Sequence, residues 1–168
     1  MKQQGMSLIE VMVAVAILAA GLLGLGALQA RSVTMNQSAY YRSIAADLAS
    51  DLADRVRANR STYLAKGDTG IPTNFPLPPN FASCPQNTSA PDTAPTCATQ
   101  IGGRNAYLVQ AEMTAWNTAL RAQLKNATYT LVSADAGNGF LKYVLTITWL
   151  DDRTSSAAAN TTYTAVIE

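Results

Sequence analysis

The chain has 168 residues, with 12 lysines and arginines, 11 aspartates and glutamates, no histidine and two cysteines. This length accommodates one small domain and a membrane segment, and a net charge of +1 lacks the basic footprint typical of nucleic-acid-binding proteins. Because histidine is the commonest general base in enzymes, its absence removes the largest group of acid–base mechanisms.

The N-terminus is a short basic leader that ends in Gly5 and is followed by a long apolar run. Residues 11–30 carry no charge, and as a helix they would be roughly 30 Å long, the thickness of a bilayer core. A secretory signal fits poorly, because cleavage after Ala30 would place Leu28 where a small residue is expected. Lys2, before the apolar run, favours a cytoplasmic N-terminus.

Glu10 stands at the head of this apolar run, where a carboxylate needs a partner. One interpretation is a capping box, in which Ser7 and Glu10 close the start of the helix. The other requires cleavage after Gly5, which would create an α-amino group on Met6, one helical turn from Glu10. A carboxylate–ammonium pair between neighbouring chains would then be possible. The residues alone leave both interpretations open.

The segment Gly5-Met6-Ser7-Leu8-Ile9-Glu10-Val11 resembles the processing site of type IV pilin-like proteins. The resemblance implies that a prepilin peptidase cuts between Gly5 and Met6 and methylates the new N-terminus of Met6. It also implies that Glu10 is the carboxylate that docks the subunit in a filament. The family most often has phenylalanine where this chain has Met6. This departure from the pattern bears on the efficiency of cleavage.

Beyond the apolar run, the first helix is predicted to continue without a proline from Met6 to Arg60, over about 55 residues and roughly 80 Å. Asp51 and Arg55, four residues apart, can form an ion pair on its surface. Arg55, Arg57 and Arg60 either complement the helix dipole at this end or form a partner site. Apolar residues recur three and four positions apart and predict one buried face: Tyr41, Ile44, Leu48, Leu52 and Val56.

Residues 61–103 contain all seven prolines and have no clear periodicity, which predicts a long loop. Cys84 and Cys97 lie in this segment, on the extracytoplasmic side of the predicted membrane helix. A disulfide is therefore expected there, and it would stabilise the head by about 2–4 kcal/mol. Two free thiols or a metal-binding pair are the alternatives.

A second helix is predicted over residues 105–126, with a core stripe of Leu108, Met113, Trp116, Leu120 and Leu124. Strand patterns follow at 128–133, 140–150 and 161–167, with a turn at 135–139 between the first two. This order predicts an α+β fold in which a long N-terminal helix, membrane-spanning in its first half, packs on a small antiparallel sheet.

We therefore divide the chain into four predicted parts. Residues 1–5 form the prepilin leader, and residues 6–30 the membrane-spanning or filament-core half of the first helix. Residues 31–60 form the extracytoplasmic half of that helix. Residues 61–168 form a globular α+β head.

Three segments extend the family resemblance to the minor pilins of type IV pili: Gly21–Leu25, Asn36–Tyr40 and Asp54–Arg60. Trp116–Leu120 and Trp149–Arg153 are similar in place and type to the helix and a terminal strand of those proteins. The first sixty residues contribute most of the specificity.

The resemblance to minor pilins implies a set of partners and a location. The expected partners are other minor pilins, the major pilin, the prepilin peptidase, the inner membrane and a tip adhesin. Such proteins prime fibre assembly in a complex at or near the pilus tip, on which attachment and twitching motility depend. The chain would start in the inner membrane with a cytoplasmic N-terminus and a periplasmic head, and would end in the pilus at the cell surface.

We expect no enzymatic activity, metal or cofactor. A disulfide would remove the thiolate nucleophile, and the sequence has no glycine-rich phosphate loop or metal-ligand spacing. Asp151 and Asp152 are adjacent, so on a strand their carboxylates would point to opposite faces.

Two other functions share parts of this pattern. A minor pseudopilin of a type II secretion system would have the same leader and the same use of Glu10, although the segment from Asp54 to Arg60 favours a pilus. An extracytoplasmic binding domain on an uncleaved anchor would instead retain residues 1–5.

Overall fold

The computed structural model describes residues 7–59, 79–98, 109–135, 141–151 and 160–168. It separates into two compact units, Met1–Tyr40 and Tyr41–Glu168, which are treated in turn below. Several predicted features lie outside the described residues. They are Gly5 and Met6 of the cleavage site, Arg60, Leu108, Asp152 and most of the 135–139 turn.

The described part of the first unit is helical and exposed. Helix α1 begins at Leu8 and ends at Ala58, close to the predicted limits, and its residues 8–40 belong to this unit. No residue from 7 to 40 is buried. Among the described helices, α1 is long and apolar enough to cross a membrane: a window of 18 residues has a mean hydropathy of 2.5, and none of it is buried.

In the second unit, residues 41–58 of α1 bury one face. The predicted stripe is largely buried, and Tyr41 packs against the edge of the same core. Between the large side chains lie three buried alanines, which let neighbouring elements approach the helix closely. The buried residues of this face are Ile44, Ala45, Leu48, Ala49, Leu52, Ala53 and Val56.

Helix α2 runs over Val109–Gln123, three residues short of the predicted end. The helix stops there because Asn126 adopts the left-handed conformation, with φ of 56°, which terminates helices. The amide of Ala127 then donates to the carbonyl of Leu124 at 3.3 Å and closes the turn into the sheet.

The sheet is an antiparallel meander of three strands in the order β1-β2-β3. The strands span Thr128–Asp135, Leu141–Leu150 and Asn160–Ile167, close to their predicted limits. A short 3-10 helix, Phe81–Ser83, precedes α2 in the chain. The predicted α+β arrangement, a long helix packed on a small antiparallel sheet, is confirmed.

The core of the second unit is centred on Trp116. This side chain is fully buried, and its indole Nε1 donates a hydrogen bond of 2.8 Å to the carbonyl of Leu48 in α1. Its ring meets the ring of Tyr129 edge to face, with centroids 5.1 Å apart. Trp116 thereby joins both helices to β1, and the buried face of β2 completes the core with Tyr143, Leu145, Ile147 and Trp149.

Candidate functional site

The first candidate site is the start of α1, where Glu10 lies in the first turn and is exposed. The amide of Glu10 donates to the carbonyl of Ser7 at 3.0 Å, and the amide of Val11 donates to the same carbonyl at 3.4 Å. A carboxylate in the first turn complements the positive end of the helix dipole. Glu10 is therefore both a local helix-stabilising group and a charge available at the surface.

The surface that follows Glu10 is apolar on all sides of the helix. A helix that is hydrophobic all round is stable only inside a membrane or a larger packed assembly. The side chains concerned are more than two-fifths exposed, from Val11 at 43% to Leu8 at 82%. They include Leu8, Ile9, Val11, Met12, Val13, Val15, Ile17, Leu18, Leu22, Leu23, Leu25, Leu28, Val33 and Met35.

The glycines of this segment add room for close contact. A Cβ atom built on Gly21, Gly24 or Gly26 would meet nothing within 4 Å. Small residues let apolar helices approach one another closely, so the helix is suited to packing against other helices at these positions. Among the described residues, nothing fills the space beside them.

The arginines at the end of α1 are engaged within the head. The Arg55 guanidinium donates to Asp51 at 3.0 Å and to Glu112 of α2 at 2.5 Å, so the predicted Asp51–Arg55 pair forms. Burial alone would lower the pKa of Arg55, but its hydrogen bonds to the two carboxylates and their charges raise it overall. Arg57 pairs with Asp54 at 2.9 Å and also donates to the carbonyl of Glu168.

These contacts favour a structural role over a partner site for Arg55 and Arg57. Arg55 ties α1 to α2 through Glu112, and Arg57 ties α1 to the end of the chain at Glu168. Sequence reasoning found the i,i+4 pair but missed both long-range contacts, because nothing in local spacing relates residue 55 to 112 or 57 to 168.

The second candidate site is the segment closed by the Cys84–Cys97 disulfide, which is present in the structure. Polar side chains of α2 hold this segment along the helix. Gln110 accepts from the amide of Cys97 at 2.9 Å and donates to the carbonyl of Pro95. Asn117, which is buried, donates to the carbonyls of Pro91 and Thr93 and accepts from Gln86 at 3.1 Å. Arg121 donates to Asp92 at 2.6 Å.

Sequence reasoning missed Gln110, Asn117 and Arg121 as a group. They are seven and four residues apart, a spacing that places them along one side of a helix, so the signal was present in the periodicity of polar residues. The disulfide and this row of side chains fix the same loop in two independent ways. The segment is thus held along α2 by the disulfide, by neutral hydrogen bonds and by the Arg121–Asp92 ion pair.

Tyr129 and Asp151 are two further polar groups of the head that form hydrogen bonds. The hydroxyl of Tyr129 donates to the carbonyl of Cys84 at 2.8 Å, and burial raises the pKa of this phenol. Asp151 accepts from the hydroxyl of Thr161 at 3.2 Å. Within the described ranges, no group of three or more histidines, cysteines, aspartates or glutamates is placed to hold a metal ion. Both side chains are engaged in hydrogen bonds within the head.

Comparison with protein families assigns a class to the N-terminus. Residues 1–26 match the family described as the prokaryotic N-terminal methylation motif. This is the prepilin signal, and it supports a type IV pilin-like protein, either a pilin or a pseudopilin. It also supports membrane anchoring, processing by a prepilin peptidase and assembly with other pilins. Comparisons with curated proteins and with solved structures find no match.

Proposed function

We propose that this chain is a minor pilin of a type IV pilus, similar to the minor pilin called PilV, and that it primes assembly of the fibre. The observation that supports this most strongly is the apolar, unburied surface of residues 11–30, most of which lies within the matched methylation motif. Such a surface needs lipid before assembly and neighbouring helices after it. One segment thus serves first as the anchor and then as the packing surface.

Maturation would proceed by cleavage between Gly5 and Met6 and methylation of the new amino group. Glu10 would then dock the subunit, because its carboxylate lies on an otherwise apolar surface. A carboxylate among apolar helices is costly unless it is paired, and the cationic N-terminus of a neighbouring subunit is a suitable partner. The pairing would set the axial position at which a subunit joins the growing fibre.

The head would lie in the periplasm and later at the cell surface, with the N-terminus initially cytoplasmic. The disulfide is consistent with this, because such bonds persist in oxidising compartments. In the proposed assembly, the chain joins other minor pilins and the major pilin at or near the tip, where the complex supports a tip adhesin. Loss of the chain would therefore reduce attachment and twitching motility.

Intact-mass measurement of the membrane-extracted protein tests maturation. In cells with prepilin peptidase, we expect a chain that starts at methylated Met6 and is two hydrogens lighter than the dithiol form. In cells without the peptidase, or with Gly5 replaced, the leader should remain. A full-length chain in both backgrounds would contradict maturation and favour a binding domain on a permanent anchor.

The docking role of Glu10 is tested separately by counting pili. Glu10→Ala should mature to the expected mass but fail to support fibre priming, whereas Glu10→Asp keeps the carboxylate and should retain part of the activity. Normal piliation in the Glu10→Ala strain would refute the docking role while leaving the class intact.

The second candidate is a minor pseudopilin of a type II secretion system, because the methylation motif is common to both classes. Deletion of the chain distinguishes the two. Loss of pili with normal secretion of enzymes supports the minor pilin, and the reverse outcome supports the pseudopilin.

A further inference from the structure

The two ends of the Cys84–Cys97 disulfide have different surroundings. Cys84 is 1% exposed and belongs to the hydrophobic core of the head. Cys97 is half-buried, packs against that core, and lies between the exposed residues Thr96 and Ala98. The bond therefore runs from the surface of the head, at Cys97, towards its interior, at Cys84.

The direction of this bond matters because thiol–disulfide exchange is a displacement at sulfur. An incoming thiolate attacks one sulfur and expels the other, with the three sulfur atoms close to one line. Attack on Sγ of Cys97 comes from the side opposite Cys84, which is the surface side. Attack on Sγ of Cys84 has to come from within the core, which a thiol reaches only after local opening of the head.

The chemistry of the leaving group acts in the opposite sense. Attack on Cys97 expels the thiolate of Cys84 into an apolar site, which disfavours its charge and makes it a poorer leaving group. The Ser83 hydroxyl is 4.0 Å from Sγ of Cys84. It already donates to the carbonyl of Asn80 at 2.6 Å. A poor leaving group slows exchange, whereas a sulfur that cannot be reached prevents it, so access decides which cysteine is attacked.

We propose that Cys97 is the modification site of this bridge, where a low-molecular-weight thiol forms a mixed disulfide and leaves Cys84 as a buried thiol. The incoming thiolate forms a bond to Sγ of Cys97, and the Cys84–Cys97 bond breaks. Its electron pair leaves with Sγ of Cys84, which takes a proton from water. One disulfide replaces another, so the step needs no oxidant or reductant besides the thiol itself.

The same asymmetry makes the mixed disulfide persistent. To restore the bridge, the thiolate of Cys84 has to attack Cys97, and a thiol in an apolar site is rarely ionised. Meanwhile Gln110 and Asn117 still hold the segment on α2, so the head stays folded with the adduct in place. This inference goes beyond the filament role and does not depend on it.

Glutathione is the probe, and it is applied to the unmodified full chain in detergent. After brief exposure to excess reduced glutathione, the remaining thiols are blocked with N-ethylmaleimide. Cleavage at Asp92 then separates the two cysteines into different peptides. Mass spectrometry should find glutathione on Cys97 and maleimide on Cys84, with the reverse species rarer by about tenfold. In urea, both cysteines should be modified to a similar extent.

Two single-cysteine variants give a matched comparison in the absence of the bridge. Cys84→Ser leaves the thiol of Cys97, and Cys97→Ser leaves the thiol of Cys84. With oxidised glutathione, the thiol of Cys97 should form its mixed disulfide about tenfold faster than that of Cys84 in the folded head. The two rates should converge in urea, where both thiols are accessible.

The proposal is overturned if the folded chain carries glutathione mainly on Cys84 or equally on both cysteines. It is also overturned if no adduct forms under conditions in which the chain in urea is modified. Equal rates for the two folded variants would overturn it as well, because burial would then not limit access to Cys84. The filament role is unaffected by any of these outcomes.

Discussion

The two parts of α1 have the same backbone and opposite surroundings. Residues 11–30 present apolar side chains on every side, and none of the residues from 8 to 40 is buried. Residues 41–58 bury a single face that alternates alanines with Leu48, Leu52 and Val56. The second part is stabilised by burial within its own head. The first part has no buried residue among those described, and its apolar run is long enough to be stabilised by lipid.

The small residues of α1 also differ between its two parts. Ala45, Ala49 and Ala53 are buried in the head, where their size allows close packing. Gly21, Gly24 and Gly26 are equally small, yet an added Cβ atom on any of them would meet only open space. In the head, small residues of α1 pack against other elements of the same chain. In residues 8–40, the small residues leave room for neighbouring helices.

The largest expected effect is on the head. Trp116→Ala should lower the free energy of unfolding of the head by about 3–5 kcal/mol, because it empties a fully buried position and removes the contact with Tyr129. Urea unfolding in detergent, followed by tyrosine and tryptophan signals, measures the change. Extraction of the chain from membranes should be unaltered.

Trp116→Phe is the control for that substitution. It keeps an aromatic ring but removes the hydrogen bond to the carbonyl of Leu48, so a smaller loss of about 1–2 kcal/mol is expected. If the alanine variant also released the chain from membranes, the two parts of the helix would not be stabilised independently.

The next prediction concerns the exposed part of α1, residues 8–40, where a substitution should affect membrane insertion and not the head. Leu22→Lys should make membrane insertion less favourable by roughly 3 kcal/mol, since lysine replaces leucine near the centre of the apolar run. Head stability should not change, because Leu22 is 59% exposed and belongs to the first unit. Carbonate extraction of membranes measures insertion, and urea unfolding measures the head.

The matched control places a lysine in the part of α1 that belongs to the head. Asp47→Lys also alters an exposed position of α1, but one that lies beyond the apolar run. It should leave insertion unchanged. Equal loss of insertion in both variants would mean that helix propensity or expression, rather than apolar surface, decides the outcome.

Most of the fold could be predicted from the sequence because its signals are local. The stripe from Tyr41 to Val56 and the alternation in the strands follow directly from helical and strand periods. The end of α2 was predicted three residues late, because apolar spacing continues through Leu124 while Asn126 takes a left-handed conformation. Backbone conformation at a single residue overrides the pattern there.

The candidate sites could be predicted only in part. The methylation motif was recognised because a short segment contains the whole signal, and the docking role of Glu10 stays a prediction. The pairing of Arg55 with Glu112 and the contact of Arg57 with Glu168 were missed, because each joins residues far apart in the chain.

Removal of the disulfide should have a moderate effect, confined to the head. Cys84→Ser with Cys97→Ser opens a link between residues 13 apart and should lower the free energy of unfolding by about 2–4 kcal/mol. We expect the lower end, because Gln110 and Asn117 still hold the segment on α2. Urea unfolding with and without a reductant measures the loss, and the double variant should not respond to the reductant.

Gln110→Ala on the disulfide-bonded chain separates the two ways in which the loop is fixed. It should cost about 1 kcal/mol, and combining it with the double serine variant should cost more than the sum of the two changes. Strict additivity would indicate that the disulfide and the side chains of α2 hold different parts of the loop.

The last effect concerns pH and is confined to the alkaline range. Burial raises the pKa of Tyr129 above its ordinary value of 10.0, so the folded head keeps this phenol protonated where the unfolded chain would release the proton. The stability that follows is fully present below pH 10 and is lost as the pH rises above it. Each pH unit beyond that point should lower the free energy of unfolding by up to about 1.4 kcal/mol.

Tyr129→Phe isolates that contribution from the other tyrosines of the head. The variant loses the hydrogen bond to the carbonyl of Cys84, so it should be less stable than the parent at neutral pH. Above pH 10 the difference between the two proteins should shrink, because only the parent has the phenol of Tyr129 to titrate on unfolding. A constant difference across the alkaline range would mean that Tyr129 titrates in the folded head as it does in the unfolded chain.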